Sequence, residues 1–277
     1  MTIPFFKAHG AGNDFLITAS ESVPGGDRST VARRICDRHT GVGADGWYLV
    51  DRRAAGCDAA IHLYNSDGSE AELSGNGTRC VAAVLVHEGH TREIVRLHTG
   101  AGQRELRLLR RERFEYWFEM NMGRPEIDAQ RLHWRLPLRA GPVEVAALDV
   151  GNPQCAVFVK EFPAGWETVA AEIESHPMFP RRTNVSFVRV RDRNTIEARF
   201  YERGAGHTLS SGTGSVGATA AAIARGVADS PVTVVTEAGP LRLRWEGDIH
   251  LTGPAVIVAR GEALLEESPF EGADLLL

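Results

Sequence analysis

No stretch of about 18 or more apolar residues occurs in this chain, so a membrane-spanning helix is not expected. Residues 1–20 lack the basic start and continuous apolar run of a secretory signal, which makes the cytoplasm the default location. Cysteine is scarce: Cys36, Cys57, Cys80 and Cys155 show neither Cys-Xaa-Xaa-Cys spacing nor a partnering His pair. That excludes a zinc framework or a disulfide scaffold and leaves four thiols. The ten His residues include no His-Glu-Xaa-Xaa-His, so no metal is expected. Basic charge is in deficit, 31 Lys and Arg against 36 Asp and Glu, and a net charge of −5 argues against a nucleic-acid partner. The densest basic stretch, Arg104–Arg113, is interleaved with Glu and Leu and reads as a solvated strand or hairpin face. No Gly-Xaa-Gly-Xaa-Xaa-Gly follows a strand, and Gly10–Phe15 lacks the Gly-Lys-Ser/Thr ending of a phosphate loop. Ser211 sits in Ser-Ser-Gly-Thr-Gly, which does not support a serine-hydrolase elbow.

What is present is a chain of 277 residues, 43% hydrophobic and 24% charged, long enough for one large domain or two with real cores. Two segments echo each other, Glu72–Ala83 and Thr208–Ala218. In each, a hydroxyl residue precedes glycines and then an Ala/Val-rich run, the signature of a sharp turn into a buried helix. The free N–H groups and the dipole of such a helix start attract an anion. Ser74 and Ser211 lie 211 − 74 = 137 positions apart, which suggests two similar halves facing one ligand.

Alternating runs at 46–50, 60–64, 114–120, 154–159 and 196–201 predict strands. Helices are predicted at Ser29–Asp37, Thr78–Glu88, Trp166–Ser175 and Gly214–Arg225, the last stopping at Gly226. Turn chemistry at Met122–Asp128 places a boundary between an N-terminal half, 1–121, and a C-terminal half, 122–261.

Further motifs are His9-Gly10-Ala11-Gly12-Asn13-Asp14-Phe15, Asp37–Asp45, Asn65–Glu70, Gly151-Asn152-Pro153, Arg182–Val185, Tyr201–Gly206 and Leu251–Ala255. With the two helix starts, they make this chain closely resemble the diaminopimelate epimerase family over its full length. The resemblance implies an α/β (α+β) fold of two pseudo-symmetric halves, each a curved, mainly antiparallel sheet around a central helix. It implies an active site in the cleft and a C-terminal strand, 262–277, returning to the first half. It also implies a cofactor-independent, metal-independent epimerase that interconverts LL- and meso-diaminopimelate, a small amino-acid substrate, with a homodimer as a common assembly. By the same resemblance Gly75, Asn76, Gly212 and Thr213 face the substrate carboxylate, and Asn13, Asn65, Asn152, Asn184, Glu202 and Arg203 match substrate-recognition positions. Amides and a carboxylate suit ammonium groups, and Arg203 can pair bidentately with a distant carboxylate.

The family places a cysteine at each of the positions held here by Ser74 and Ser211. A thiol, with a reference pKa of about 8.5, becomes a base near neutrality after a modest shift, whereas a hydroxyl needs activation by a neighbour. Other positions depart too: His207 stands where the family has Glu, and Gln154 where it has His after Asn-Pro. His207, four residues before Ser211, is therefore a candidate to activate that serine or to act itself. Three readings stay open: an engineered double substitution, a natural enzyme with relocated acid/base groups, and a binding-only relative. A diverged isomerase of the same fold acting on another amino or carboxylic acid is the alternative reaction.

Overall fold

The computed structural model describes residues 1–23 and 25–265. Its first half runs β1 (Thr2–Gly10), β2 (Asn13–Ala19), α1 (Arg28–Cys36), β3 (Gly46–Asp51), β4 (Ala59–Asn65), β5 (Glu70–Ala71), α2 (Gly75–His87), β6 (Ile94–Thr99), β7 (Gly102–Glu112) and β8 (Glu115–Asn121). The second half runs β9 (Glu126–Ile127), β10 (Trp134–Leu136), β11 (Val143–Asp149), β12 (Pro153–Phe158), α3 (Trp166–Glu174), β13 (Asn184–Asp192), β14 (Thr195–Glu202), β15 (Gly206–Thr208), α4 (Gly212–Ala224), β16 (Val232–Thr236), β17 (Gly239–Glu246) and β18 (Asp248–Leu264). The fold is α+β, rich in strands and poor in helices. Among the described residues, no helix is long and apolar enough to cross a membrane.

The two element series repeat each other. In the first half β2 pairs parallel with β3, β3 antiparallel with β4, and β4 parallel with β6. In the second, β12 pairs parallel with β13, β13 antiparallel with β14, and β14 parallel with β16. Parallel neighbours need a crossover, and here helices supply it: α1 and α2 in one half, α3 and α4 in the other. The repeat extends to single bonds. Thr99 Oγ1 donates to Gly102 O and Thr236 Oγ1 to Gly239 O, both at 2.7 Å, and the two threonines are again separated by 137 positions.

α2 is buried from Gly75 through Val86 and α4 from Gly212 through Ala222. A helix apolar on every side has no solvent face to offer, so strands must wrap it. Small residues on α4 let them approach closely. α1 and α3 are instead surface helices with one buried stripe.

β18 ties the series together. Its first part pairs antiparallel with β17 and β8, and Val256–Leu264 pairs antiparallel with β1. The expected returning strand, 262–277, falls mostly outside the described residues; the pairing that is described starts earlier, at Val256. The expected boundary after residue 121 falls between β8 and β9.

Candidate active site

Ser74 and Ser211 are the N-caps of α2 and α4. Both have extended backbone, and their hydroxyls accept from Gly77 N at 3.2 Å and Gly214 N at 3.0 Å. One turn on, Thr78 and Ser215 bond back to the cap carbonyls, at 2.7 and 2.6 Å. Each cap satisfies the third N–H of its helix, leaving the first two, of Gly75 and Asn76 and of Gly212 and Thr213, without an intrahelical acceptor. The two helix ends abut. A Cβ on Gly212 would lie 3.2 Å from Gly75 Cα, so glycine at both positions permits this approach. Four first-turn N–H groups and two positive dipole ends thus converge on one place, an arrangement that favours a carboxylate.

The two hydroxyls differ in their neighbours. Ser211 Oγ donates to Glu202 Oε1 at 2.7 Å, while Thr208 Oγ1 donates to Glu202 Oε2 at 2.8 Å. Burial pushes the Glu202 carboxyl up, further aided by the Asp45 charge, and the two hydroxyl hydrogen bonds offset only part of this. Ser74 has no carboxylate partner among the described residues. The residue 137 positions before Glu202 is Asn65, whose Nδ2 donates to Ser69 Oγ at 2.9 Å. An amide cannot take up a proton as a carboxylate does.

His207 is turned elsewhere. Its Nε2 lies 2.6 Å from Glu237 Oε2, and its ring meets Trp166 edge-on with centroids 5.2 Å apart. Sequence spacing put His207 beside Ser211, but the β14–β15 turn brings Glu202 to that hydroxyl instead. Three of the four thiols offer no replacement base: burial pushes Cys36 and Cys80 up to about 12 and raises Cys155 further.

Asn13 and Asn184 open strands, Asn65 closes one, Asn152 precedes one and Asn76 lies in the first turn of α2. Asn13 opens β2 and donates to Asp45 Oδ2 at 2.7 Å. Asn76 Nδ2 lies 3.4 Å from Asn13 Oδ1. Asn152 accepts from Gln154 Nε2 at 2.7 Å, just ahead of the second series' core strands. Asn184 accepts from Arg203 N at 2.9 Å and donates to Pro153 O at 3.3 Å, which joins β12, β13 and the end of β14. Arg203 Nη1 donates to Arg181 O at 3.0 Å. Two recesses, of about 430 and 650 Å³, are lined by neither Ser74 nor Ser211; the first borders Pro153, Gln154 and Arg181, the partners of Asn184, Asn152 and Arg203.

Sequence reasoning passed over Thr208, Asp45 and Arg79. Arg79 carried a signal: a cation inside an Ala/Val-rich helix, three residues after Asn76.

The duplicated, strand-wrapped frame around two central helices is a fold shared with solved structures of an epimerase and of other proteins. A hydroxyproline epimerase from Agrobacterium vitis, solved with trans-4-hydroxy-L-proline, has this fold, with a TM-score of 0.76 at 16% identity, covering 96% of this chain and 94% of that one. A phenazine biosynthesis protein of the PhzF family from Bacillus anthracis has it too, with a TM-score of 0.71 at 16% identity and coverages of 96% and 100%. The particular family follows from sequence. The diaminopimelate epimerase family model matches residues 5–127 and 146–265. The diaminopimelate epimerase of Pelotomaculum thermopropionicum is 38% identical over 274 residues, 93% of this chain and 98% of that protein. The chain belongs to the diaminopimelate epimerase family and is an isomerase of that class.

Proposed function

We propose that this protein interconverts LL- and meso-2,6-diaminopimelate in the cytoplasm by proton transfer at one α-carbon, without cofactor or metal, in the supply of lysine and cell-wall precursors. The observation that carries the reading is the Ser211–Glu202 hydrogen bond, at a helix end that abuts a second, Ser74-capped one.

The reaction balances as follows. The α-proton passes to Ser211 Oγ as the Ser211 proton moves to Glu202, and the carbon's electron pair moves into the substrate carboxylate. The four helix N–H groups stabilise the charge that develops there. Ser74 delivers its proton to the opposite face, and water then relays the proton held by Glu202 to the Ser74 oxygen, which resets both groups. Glu202 supplies the activation that a lone hydroxyl lacks. Without it, a basicity deficit of roughly four pK units would raise the barrier by about 5 kcal/mol and slow the reaction by about 10⁴.

Proton NMR of LL-diaminopimelate in D₂O tests this. Loss of the α-hydrogen signal is expected, abolished by Ser211→Ala and by Glu202→Gln and retained in His207→Ala. Bound ligand with no exchange would sink the reading and leave a binding protein.

A second reading has one observation in its favour, the amide at 65 in the repeat position that corresponds to the carboxylate at 202. With a base on one face only, the proton leaves and returns on that face, or returns at another carbon, as in a diverged isomerase. Exchange of the α-hydrogen without appearance of the other stereoisomer separates this outcome from epimerisation.

A further inference from the structure

Arg79 is wholly buried, at 0% exposure, and among the described residues no carboxylate reaches it. Its Nη1 donates to Gly75 O at 3.1 Å, its Nε to Pro254 O at 3.3 Å and its Nη2 to Asn76 Oδ1 at 2.5 Å. All three acceptors are neutral. Burial lowers the guanidinium to about 10, which still leaves it charged at neutral pH.

A guanidinium can only donate, so Asn76 must turn its oxygen toward Arg79 and its NH₂ away. That NH₂ lies 3.4 Å from Asn13 Oδ1 and 3.5 Å from Ser210 O, the residue preceding the cap of the opposite helix. At the far end, a carboxylate can only accept. Asp45 Oδ2 takes a hydrogen bond from Asn13 Nδ2 at 2.7 Å, which turns the Asn13 oxygen back toward Asn76. Asp45 is itself held by Arg38 Nη2 at 2.7 Å and by Asp14 N at 3.1 Å. An isolated amide can flip; here a donor-only group and an acceptor-only group close both ends of the line.

We propose that Arg79 and Asp45 are positioning residues which lock the Arg79–Asn76–Asn13–Asp45 line in one direction, so that Asn76 offers a donor and Asn13 an acceptor beside the abutting helix ends. That pair complements the carboxylate and ammonium groups carried by one α-carbon once the ligand displaces the long, 3.5 Å contact from the Asn76 NH₂ to Ser210 O. The ligand class rests on the amino-acid reading above; the locked line does not.

Two measurements separate these. In the ligand-free protein, the Asn76 side-chain NH₂ resonances, assigned by their loss in Asn76→Ala, shift in Asp45→Asn even though Asp45 bonds Asn13 rather than Asn76. An asparagine at 45 can donate to Asn13 and release its orientation. Unchanged resonances overturn the proposal. In calorimetric titration with meso-diaminopimelate, Arg79→Met and Asn76→Ala each weaken binding about tenfold, and the double variant is no weaker than either. Losses that multiply would mean that Arg79 acts independently of Asn76, which also overturns it. Arg79→Lys, with one ammonium for three acceptors, recovers only part. Should Arg79→Met fail to fold, Gly253→Ala moves the guanidinium without deleting it, since its Cβ would lie 3.0 Å from Arg79 Cζ; the same NH₂ shift and weaker binding are expected. Wild-type protein that ignores diaminopimelate sinks the substrate reading, and the resonance shift still decides the line.

Discussion

At the residue scale, the two serines are not equivalent, because only Ser211 has a carboxylate within hydrogen-bonding distance. Ser74→Cys is therefore expected to raise epimerisation more than Ser211→Cys, since it supplies a titratable group to the face that lacks one. Rates of LL to meso conversion for the two single variants check this, and equal gains would count against the asymmetry. Glu202 also sets a pH dependence. Burial raises its carboxyl, so the folded state holds that proton more tightly than the unfolded chain does. The stability it contributes is present below the ordinary carboxylate pKa of about 4.3 and is lost as pH rises through the raised folded value. In the proposed mechanism, ionisation across that window creates the base. Activity should rise through it, with an acid limb displaced above the usual carboxylate range, while Glu202→Gln removes the activity and melts no lower than wild type at neutral pH. A rate profile paired with thermal melts from pH 4 to pH 8 would test both signs. The sequence made this pair hard to find. Glu202 and Ser211 are nine positions apart, and His207 stood closer in the chain, but the β14–β15 turn decided which side chain met the hydroxyl.

At the scale of elements, much was legible. Strands expected at 46–50, 60–64 and 196–201 occur as Gly46–Asp51, Ala59–Asn65 and Thr195–Glu202; the last alternates buried and half-buried positions, whereas the first is buried on both faces from Gly46 to Val50. The helix expected to stop at Gly226 ends at Ala224, and Gly226 adopts φ +70°. The starts of α2 and α4 were placed late, at Thr78 and Gly214 rather than Gly75 and Gly212, because glycine counts against helix until a cap and a close neighbour are known. Gly77 illustrates the constraint, since an added Cβ would lie 2.4 Å from Tyr48 Cε2. Gly77→Ala should cost about 1–3 kcal/mol through overpacking, read from urea unfolding, and should disturb the Ser74 cap with it.

At the scale of the molecule, β18 carries the chain from one element series to the other. Residues 256–264 cover β1, which among the described residues otherwise pairs with β2 alone. A chain ending at Pro254 is expected to lose soluble yield and cooperative unfolding, because an uncovered strand edge recruits other chains. Retention of a sharp unfolding transition would refute that role. The seam itself is nearly closed: Asn76 exposes 1% of its surface and Ser211 2%. Bound diaminopimelate should slow amide hydrogen exchange in the first turns of α2 and α4 together. Protection confined to one helix would argue against a shared site.

The sequence by itself determined the repeat, the two hydroxyl-capped helix starts, most elements and the family, since all of these rest on local pattern and on residues close together in the chain. The partners of those caps were decided only by tertiary structure. Glu202 on Ser211 and Glu237 on His207 join residues that the strands bring together, and the line from Arg79 and Asn76, neighbours on α2, crosses to Asn13 at the start of β2 and on to Asp45. The chemistry of the site lies in those pairings, because a hydroxyl or an amide takes its role from the group that faces it.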